Sequence, residues 1–358
     1  KVRLRSDVPI AFCLSGGVDS GSIASIASKE FNIKPNCYSI IDEDKRYNET
    51  KNINEFKSKI DCNVNFVPTK KLKFKNFIDN LTSQINYSKL PVSTISYYNH
   101  NFLIEKIKND NIKVVLSGTG ADEIFTGYYD HHLMFLREIY KAKKYKNELM
   151  YWNKFIKKNI RNTNLKNKNL FILKNKFRKH IYYDKDLISK YLYFKPNNFF
   201  EAKYHKSLLK NRLTNELLHE SVPVILNADD LNCMKNSIEN RSPFLSKKLV
   251  NYSLSVKNSN YINDGYTKYL LRESMKDILP NKIRLDRKKI GFNSNLQSVT
   301  ELKDKEISNF LNESSILKNI INLDNIRKIN FNKPLTNTES KIIFAMINAK
   351  IFLDQNKL

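Results

Sequence analysis

The sequence predicts an α/β protein, with a doubly wound parallel sheet followed by a mostly helical C-terminal region. Three observations carry that prediction. Short apolar runs alternate with amphipathic helical stretches through the first part of the 358-residue chain. The first run, Val8 to Leu14, ends in Ser15-Gly16-Gly17-Val18-Asp19-Ser20, a turn that passes straight into a helical segment. Beyond Tyr128 strand-like alternation becomes rare, and helical stripes dominate to the end.

In chain order, Ser20 to Lys29 reads as a helix with Ile23, Ala24, Ile26 and Ala27 inward. Asn36 to Ile41 is a second strand, and Asp42-Glu43-Asp44 is the loop after it. Glu49 to Ile60 carries a helical stripe of Ile53, Phe56 and Ile60, and Val64 to Val67 is a third strand. Phe74, Phe77, Ile78, Leu81 and Ile85 mark another amphipathic helix, Ile95 to Lys108 a further one, and Val114-Val115-Leu116 a short buried strand. The Lys/Asn/Tyr-rich stretch Lys141 to Arg212 keeps regular apolar anchors (Trp152, Phe155, Leu170, Phe171, Phe177, Tyr182, Tyr191, Phe194) and is expected to form packed helices. These readings divide the chain into an α/β nucleotide-binding layer over 1–130 and a helical region over 131–358.

Ligands in such sheets bind beyond the carboxyl ends of the strands. The first turn, Ile40 to Asp44, and Ser117 to Glu123 all fall there and should share one cleft. In the first turn Gly16 and Gly17 remove side chains where a ligand approaches the backbone, and they permit positive φ. Their N–H groups, with those opening the helix, can cradle phosphate, while Ser15 and Ser20 add hydroxyls. Asp19 can hold a hydrated divalent cation against that phosphate. The GxxxxGK[ST] spacing of a Walker A loop is absent. In Ser117-Gly118-Thr119-Gly120-Ala121-Asp122-Glu123 two glycines again suit a nucleotide, and both acids could bind metal or cap the helix that follows. Further on, Glu239 and Arg241 are too close in sequence to face each other on one helix, so each is expected to hold a separate partner. Basic residues between Lys268 and Lys289 could complete a site for a charged phosphate product.

The bulk properties exclude some classes of function. Net charge is +26, from 62 basic and 36 acidic residues, but the basic groups are scattered and no nucleic-acid motif accompanies them. A nucleic-acid partner is therefore disfavoured. No apolar run approaches the ~18 residues of a membrane span, and no signal peptide is evident. The four cysteines form no CxxC pair and are expected to be reduced core thiols in a cytoplasmic protein. The six histidines never take a metal-ligand spacing, which points to surface or satisfied roles. The chain opens on Lys1 rather than Met, which leaves room for residues upstream.

Four blocks together resemble the synthetase half of asparagine synthetase, within the pyrophosphate-loop (PP-loop) ATP pyrophosphatases and their adenine nucleotide alpha hydrolase-like fold. They are Arg3 to Pro9 running into SGGVDS, LSG-x-GADEIF-x-GY over Leu116 to Tyr128, D-x3-M-x2-S-x-E-x-R-x-PFL over Asp230 to Leu245, and K-x2-L-R…LP…R-x-K-x-GF over Lys268 to Phe292. The resemblance implies an ATP-dependent ligase that forms AMP and pyrophosphate through an acyl-adenylate, with aspartate amidated to asparagine. It implies that Ser15, Gly16, Gly17, Asp19 and Ser20 bind pyrophosphate and that Asp19 and Asp122 bind Mg2+. Ser117 and Gly118 would contact AMP, Ile40 would lie near the adenine, and Lys268 would reach the phosphates in the transition state. Glu239 and Arg241 would act in structure or substrate positioning.

Three departures stand out. Thr119 takes the place of the acid in the family's SG[ED]G, Ser246 replaces the aspartate of PFLD, and the glutaminase half with its N-terminal cysteine is not in this chain. Ammonia would then come from solution, a missing domain or a partner. Proton transfer would pass to water, phosphate or another carboxylate such as Glu123. Thr119 also keeps a different carboxylate substrate open, such as a sugar uronate in surface-polysaccharide synthesis. A basic nucleic-acid-binding relative without catalysis is the remaining alternative.

Overall fold

In a computed structural model the described residues are 1–174, 177–181, 190–193, 199–288, 293–313 and 315–356. Five strands form one parallel sheet in the order β3-β2-β1-β4-β5: β1 Ile10–Cys13, β2 Asn36–Ile41, β3 Asn63–Pro68, β4 Val114–Leu116 and β5 Glu239–Arg241. From β1 the chain moves outward through β2 and β3, then returns to place β4 on the other flank of β1. The strand order reverses between β1 and β4, where a doubly wound sheet opens its ligand crevice. Phe12 is in register with Leu116, so the turn after β1 and the turn after β4 leave the sheet side by side.

Successive strand residues point to opposite faces, and the two cores divide accordingly. Phe12, Leu14, Cys37, Val114 and Leu116 pack with α1 (Val18–Phe31), α2 (Thr50–Lys57) and α5 (Ala121–Phe125). Ala11, Tyr38 and Val115 face the other way, onto Leu103, Ile104 and Ile107 of α4 (Ile95–Asn109) and Cys233 of the helix Ser221–Lys235. A third core joins α3 (Phe74–Ser88) to the C-terminal helices through Phe77, Leu81, Ile343 and Ile347. The Lys/Asn/Tyr-rich stretch buries Trp152, Ile156 and the expected anchor Phe171 against α6 (Tyr129–Glu138). Two of those anchors, Tyr182 and Phe194, lie outside the described residues.

The fifth strand is the element that periodicity missed. Glu239–Arg241 is three residues long and carries Glu-Asn-Arg, with no apolar alternation to reveal it. Its ladder to β4 creates it, Val114 pairing with Glu239 and Leu116 with Arg241. Residues well beyond 130 therefore complete the sheet.

All four cysteines are free, and burial pushes the Cys13 thiol up to about 12, which leaves it protonated and inert. No helix among the described residues is long and apolar enough to cross a membrane.

Candidate active site

The turn after β1 is closed by its own serines. The Ser15 N–H donates to Ser20 Oγ at 2.9 Å, the two hydroxyls lie 2.9 Å apart, and Gly17 N–H donates to Ser15 Oγ at 3.2 Å. Neither glycine uses positive φ here; Gly17 sits at φ −95° as the cap of α1. Close approach is what Gly16 provides, because a Cβ there would meet the Cβ of Asn52 at 2.7 Å. No side chain caps α1, so its first N–H groups point out beside the turn. Ile40 follows Ser39, whose hydroxyl donates to Leu14 O at 2.6 Å, which sets β2's end next to the same turn.

The turn after β4 leans on α1 directly. A Cβ on Gly118 would stand 3.0 Å from Ser20 N and 3.1 Å from Asp19 Cβ. Gly120 adopts φ +91°, and a side chain there would strike Leu245. α5 then begins on Gly120 without a side-chain cap, and both acids fall in its first turn, where the helix dipole favours them.

Asp122 also meets Lys268. The Lys268 ammonium lies 2.6 Å from Asp19 Oδ2 and 2.6 Å from Asp122 Oδ1, joining residues from three separate parts of the chain. Its backbone is held in the left-handed region, φ +55°, by N–H bonds to Phe125 O and Thr126 Oγ1, both 3.2 Å. Lys268 is only 5% exposed. Burial opposes its charge, but the charges of Asp122 and Asp19 hold its pKa above the ordinary lysine value.

These residues fit a hard divalent cation. Asp19 Oδ1 is buried and accepts no hydrogen bond among the described residues, and a second carboxylate, Asp122, stands across the same ammonium.

Other predicted residues have other occupations. The Glu123 carboxylate is buried and accepts the Tyr128 hydroxyl at 2.5 Å. Glu239 and Arg241 face each other, contrary to the expectation of wholly separate partners. They lie two apart on β5, hence on one face, and pair at 2.7 Å. Arg241 also donates to the carbonyls of Arg3 and Arg5, at 2.9 and 2.7 Å, tying the N-terminal segment to the sheet edge. Of the basic residues near Lys268, Arg272 is buried with Nε bonded to Thr267 O, and Lys289 to Phe292 lie outside the described residues.

The histidines are mostly satisfied. His131 Nε2 meets Glu216 at 2.8 Å, and His180 Nε2 meets Asp130 at 3.1 Å. Asp130, His131 and Glu216 group closely enough for metal binding, but Arg212 lies 3.4 Å from Asp130 and 3.0 Å from Glu216 and supplies the positive charge itself.

Thr119 is half-buried, accepts from Ser117 Oγ at 3.0 Å and donates to Asp229 Oδ2 at 3.0 Å. Asp229, on the helix before β5, is 4% exposed and also takes hydrogen bonds from Tyr97 and Asn240. Sequence reading singled out its exposed neighbour, Asp230, and passed over Asp229, Tyr97, His100 and Asn240. None of these had a usable signal, since Asn240 lies opposite Glu239 and Arg241 only on a strand that its pairing with β4 creates.

A parallel sheet with a glycine-serine turn at its switch point and carboxylates facing a buried lysine defines an α/β protein whose candidate site lies at the carboxyl ends of its strands. A family model described as asparagine synthase matches residues 1–327, and the chain belongs to that family. It is 26% identical over 310 residues to asparagine synthetase [glutamine-hydrolyzing] 1 of Bacillus subtilis, covering 81% of this chain and 47% of that protein. It is 28% identical over 142 residues to amidase chyE of Penicillium rubens, covering 36% of this chain and 21% of the relative. Asparagine synthetase [glutamine-hydrolyzing] 1 of Arabidopsis thaliana is 31% identical over 142 residues, 36% of this chain and 23% of that protein. The chain thus spans less than half the length of each of these relatives.

Proposed function

We propose that this chain is an ATP-dependent amide ligase that forms AMP and pyrophosphate through an acyl-adenylate, with aspartate as the carboxylate and asparagine as product. The observation that carries this is Lys268 bridging Asp19 and Asp122 at 2.6 Å beside the turn after β1. Family membership supports the same reading.

A carboxylate cannot expel oxide, so it must first be given a leaving group. Its oxygen attacks the α-phosphorus of ATP, the bond to the β-phosphate breaks, and pyrophosphate departs into the turn formed by Ser15, Gly16, Gly17 and Ser20. Lys268 lies beside that turn and offsets the charge growing on the leaving group, which stabilises the transition state more than the bound substrate. Ser117 and Gly118 would contact the AMP portion, with Ile40 near the adenine. Asp19 and Asp122 are the residues that would hold Mg2+, which when bound supplies neutralising charge at the phosphates. Ammonia, from solution, a further domain or a partner, then attacks the acyl carbon and displaces AMP. The packing of Leu245 against Gly120 and the burial of Lys268 would limit water that hydrolyses the adenylate.

A second reading, amidation of another carboxylate such as a sugar uronate, is favoured by Thr119, which brings a hydroxyl where the family has an acid. Pyrophosphate release measured with ATP, magnesium and ammonia over a panel of aspartate, glutamate and uronates tests both. Release with aspartate supports the first, release with a uronate alone the second, and silence across the panel refutes the ligase assignment.

A further inference from the structure

We propose that Asp229, acting through the Thr119 hydroxyl, takes the proton that the attacking nitrogen must lose as the amide forms. The inference rests on the amide-ligase reading above. Ammonia attacking an acyl-adenylate yields a nitrogen with three hydrogens and a positive charge. The C–N bond forms, the C–O bond to AMP breaks, and one proton must leave nitrogen for a neutral amide to remain.

Five observations point to Asp229 as the acceptor of that proton. The Thr119 hydroxyl stands at the end of β4, half-buried, with Oγ1 already accepting from Ser117 and donating to Asp229 Oδ2 at 3.0 Å. It can therefore accept one proton while passing its own along an existing hydrogen bond. Of the two acids nearest in sequence, Asp122 is engaged by Lys268 at 2.6 Å and Glu123 by Tyr128 at 2.5 Å. The basic group beside Asp229 is His100, with Nδ1 3.9 Å away, and it donates no strong ionic anchor because burial pushes its pKa down. Burial likewise pushes the Asp229 carboxyl above the usual carboxylate range, despite His100, Thr119, Tyr97 and Asn240, which favours taking up a proton. Around it Cys13 on β1 stays a neutral thiol, so no second anion is added from that side. The acid that the turn lacks is thus delivered from a helix more than a hundred residues away, one hydroxyl further from the reacting atoms.

The test separates the two half-reactions. Asp229→Asn keeps the shape and can still accept from Thr119, but it cannot take the proton. ATP–pyrophosphate exchange with the carboxylate that the wild type activates should fall far less than amide formation. Amide formation with ammonia should fall by roughly 10²- to 10⁴-fold, the usual worth of a placed general base. Hydroxylamine, a stronger nucleophile that is largely neutral at neutral pH, should still give the hydroxamate at close to the wild-type rate. Thr119→Val should show the same split, and Thr119→Ser should restore ammonia use. Asp229→Asn with wild-type ammonia-dependent synthesis overturns the relay alone, as does an equal loss with ammonia and hydroxylamine. If Asp229→Asn does not fold, the Val and Ser variants of Thr119 decide the matter by the same split. A wild type with no exchange on any carboxylate overturns the ligase reading and the relay with it.

Discussion

Two buried clusters of charge share the Phe125–Tyr128 segment, and they are built differently. In one, Lys268 is bound by that segment's backbone and reaches Asp19 and Asp122. In the other, His131 Nδ1 accepts from Gly127 N–H at 3.1 Å, and behind it Arg212 stands within 3.6 Å of Asp130, Glu201, Glu216 and Glu220. Lysine is a point charge on a flexible stem and can exchange one anion for another. Arginine is a planar fork fixed by several partners at once. The lysine cluster also leaves Asp19 Oδ1 without a hydrogen bond among the described residues. The comparison teaches that buried charge alone does not mark a site; charge that can be re-partnered does.

The largest expected effect belongs to the static cluster. Arg212→Met leaves several acids buried without their cation and should cost about 3–5 kcal/mol of stability, read by chemical denaturation, with little loss of turnover per folded molecule. Acid attacks the same cluster. His131, His180 and Arg212 outweigh burial and hold Asp130 well below the usual carboxylate range. Its contribution is present above the unfolded value of about 3.9 and is lost as pH falls below it. A wild type equally stable at pH 3 and pH 6 would break that half of the comparison.

In the responsive cluster, Asp19→Ala should lower pyrophosphate release by on the order of 10²- to 10³-fold while the protein stays folded, as for loss of a charge-stabilising contact at a transition state. Near-normal release would remove Asp19 from the chemistry. Lys268→Ala should lower kcat by on the order of 10²-fold with a much smaller change in KM for ATP, since the lysine acts on charge that grows during the step. Equal losses in both would make Lys268 a second fixed charge like Arg212. The smallest effect is expected at Glu239→Ala. Its pair with Arg241 is open to solvent, so stability should change by less than about 1 kcal/mol and kcat/KM should stay put. A large fall in kcat/KM would return Glu239 to the site.

Sequence periodicity carried most of the sheet because its signals are local. Asn36–Ile41 and Val114–Leu116 are apolar runs whose bounds can be read directly, and both strands match them. β5 was illegible because Glu-Asn-Arg becomes a strand only by pairing with β4. The same reason hid Asp229. Nothing in residues 221–235 distinguishes the aspartate that turns inward from the one beside it that faces solvent.

By itself the sequence determined the α/β class and the strand-turn-helix unit built around Ser15 to Ser20. Those conclusions need only residue type and spacing along one stretch of chain, whereas Asp122 and Lys268 entered through the resemblance of whole motifs. Tertiary structure alone decided which charges meet. It joined Lys268 to carboxylates 249 and 146 positions away, turned Glu239 and Arg241 onto each other, and set Asp229 against Thr119. Such pairings depend on the crossing of β4 beside β1 and β5 beside β4, and a contact between distant segments leaves no trace in the local pattern of either.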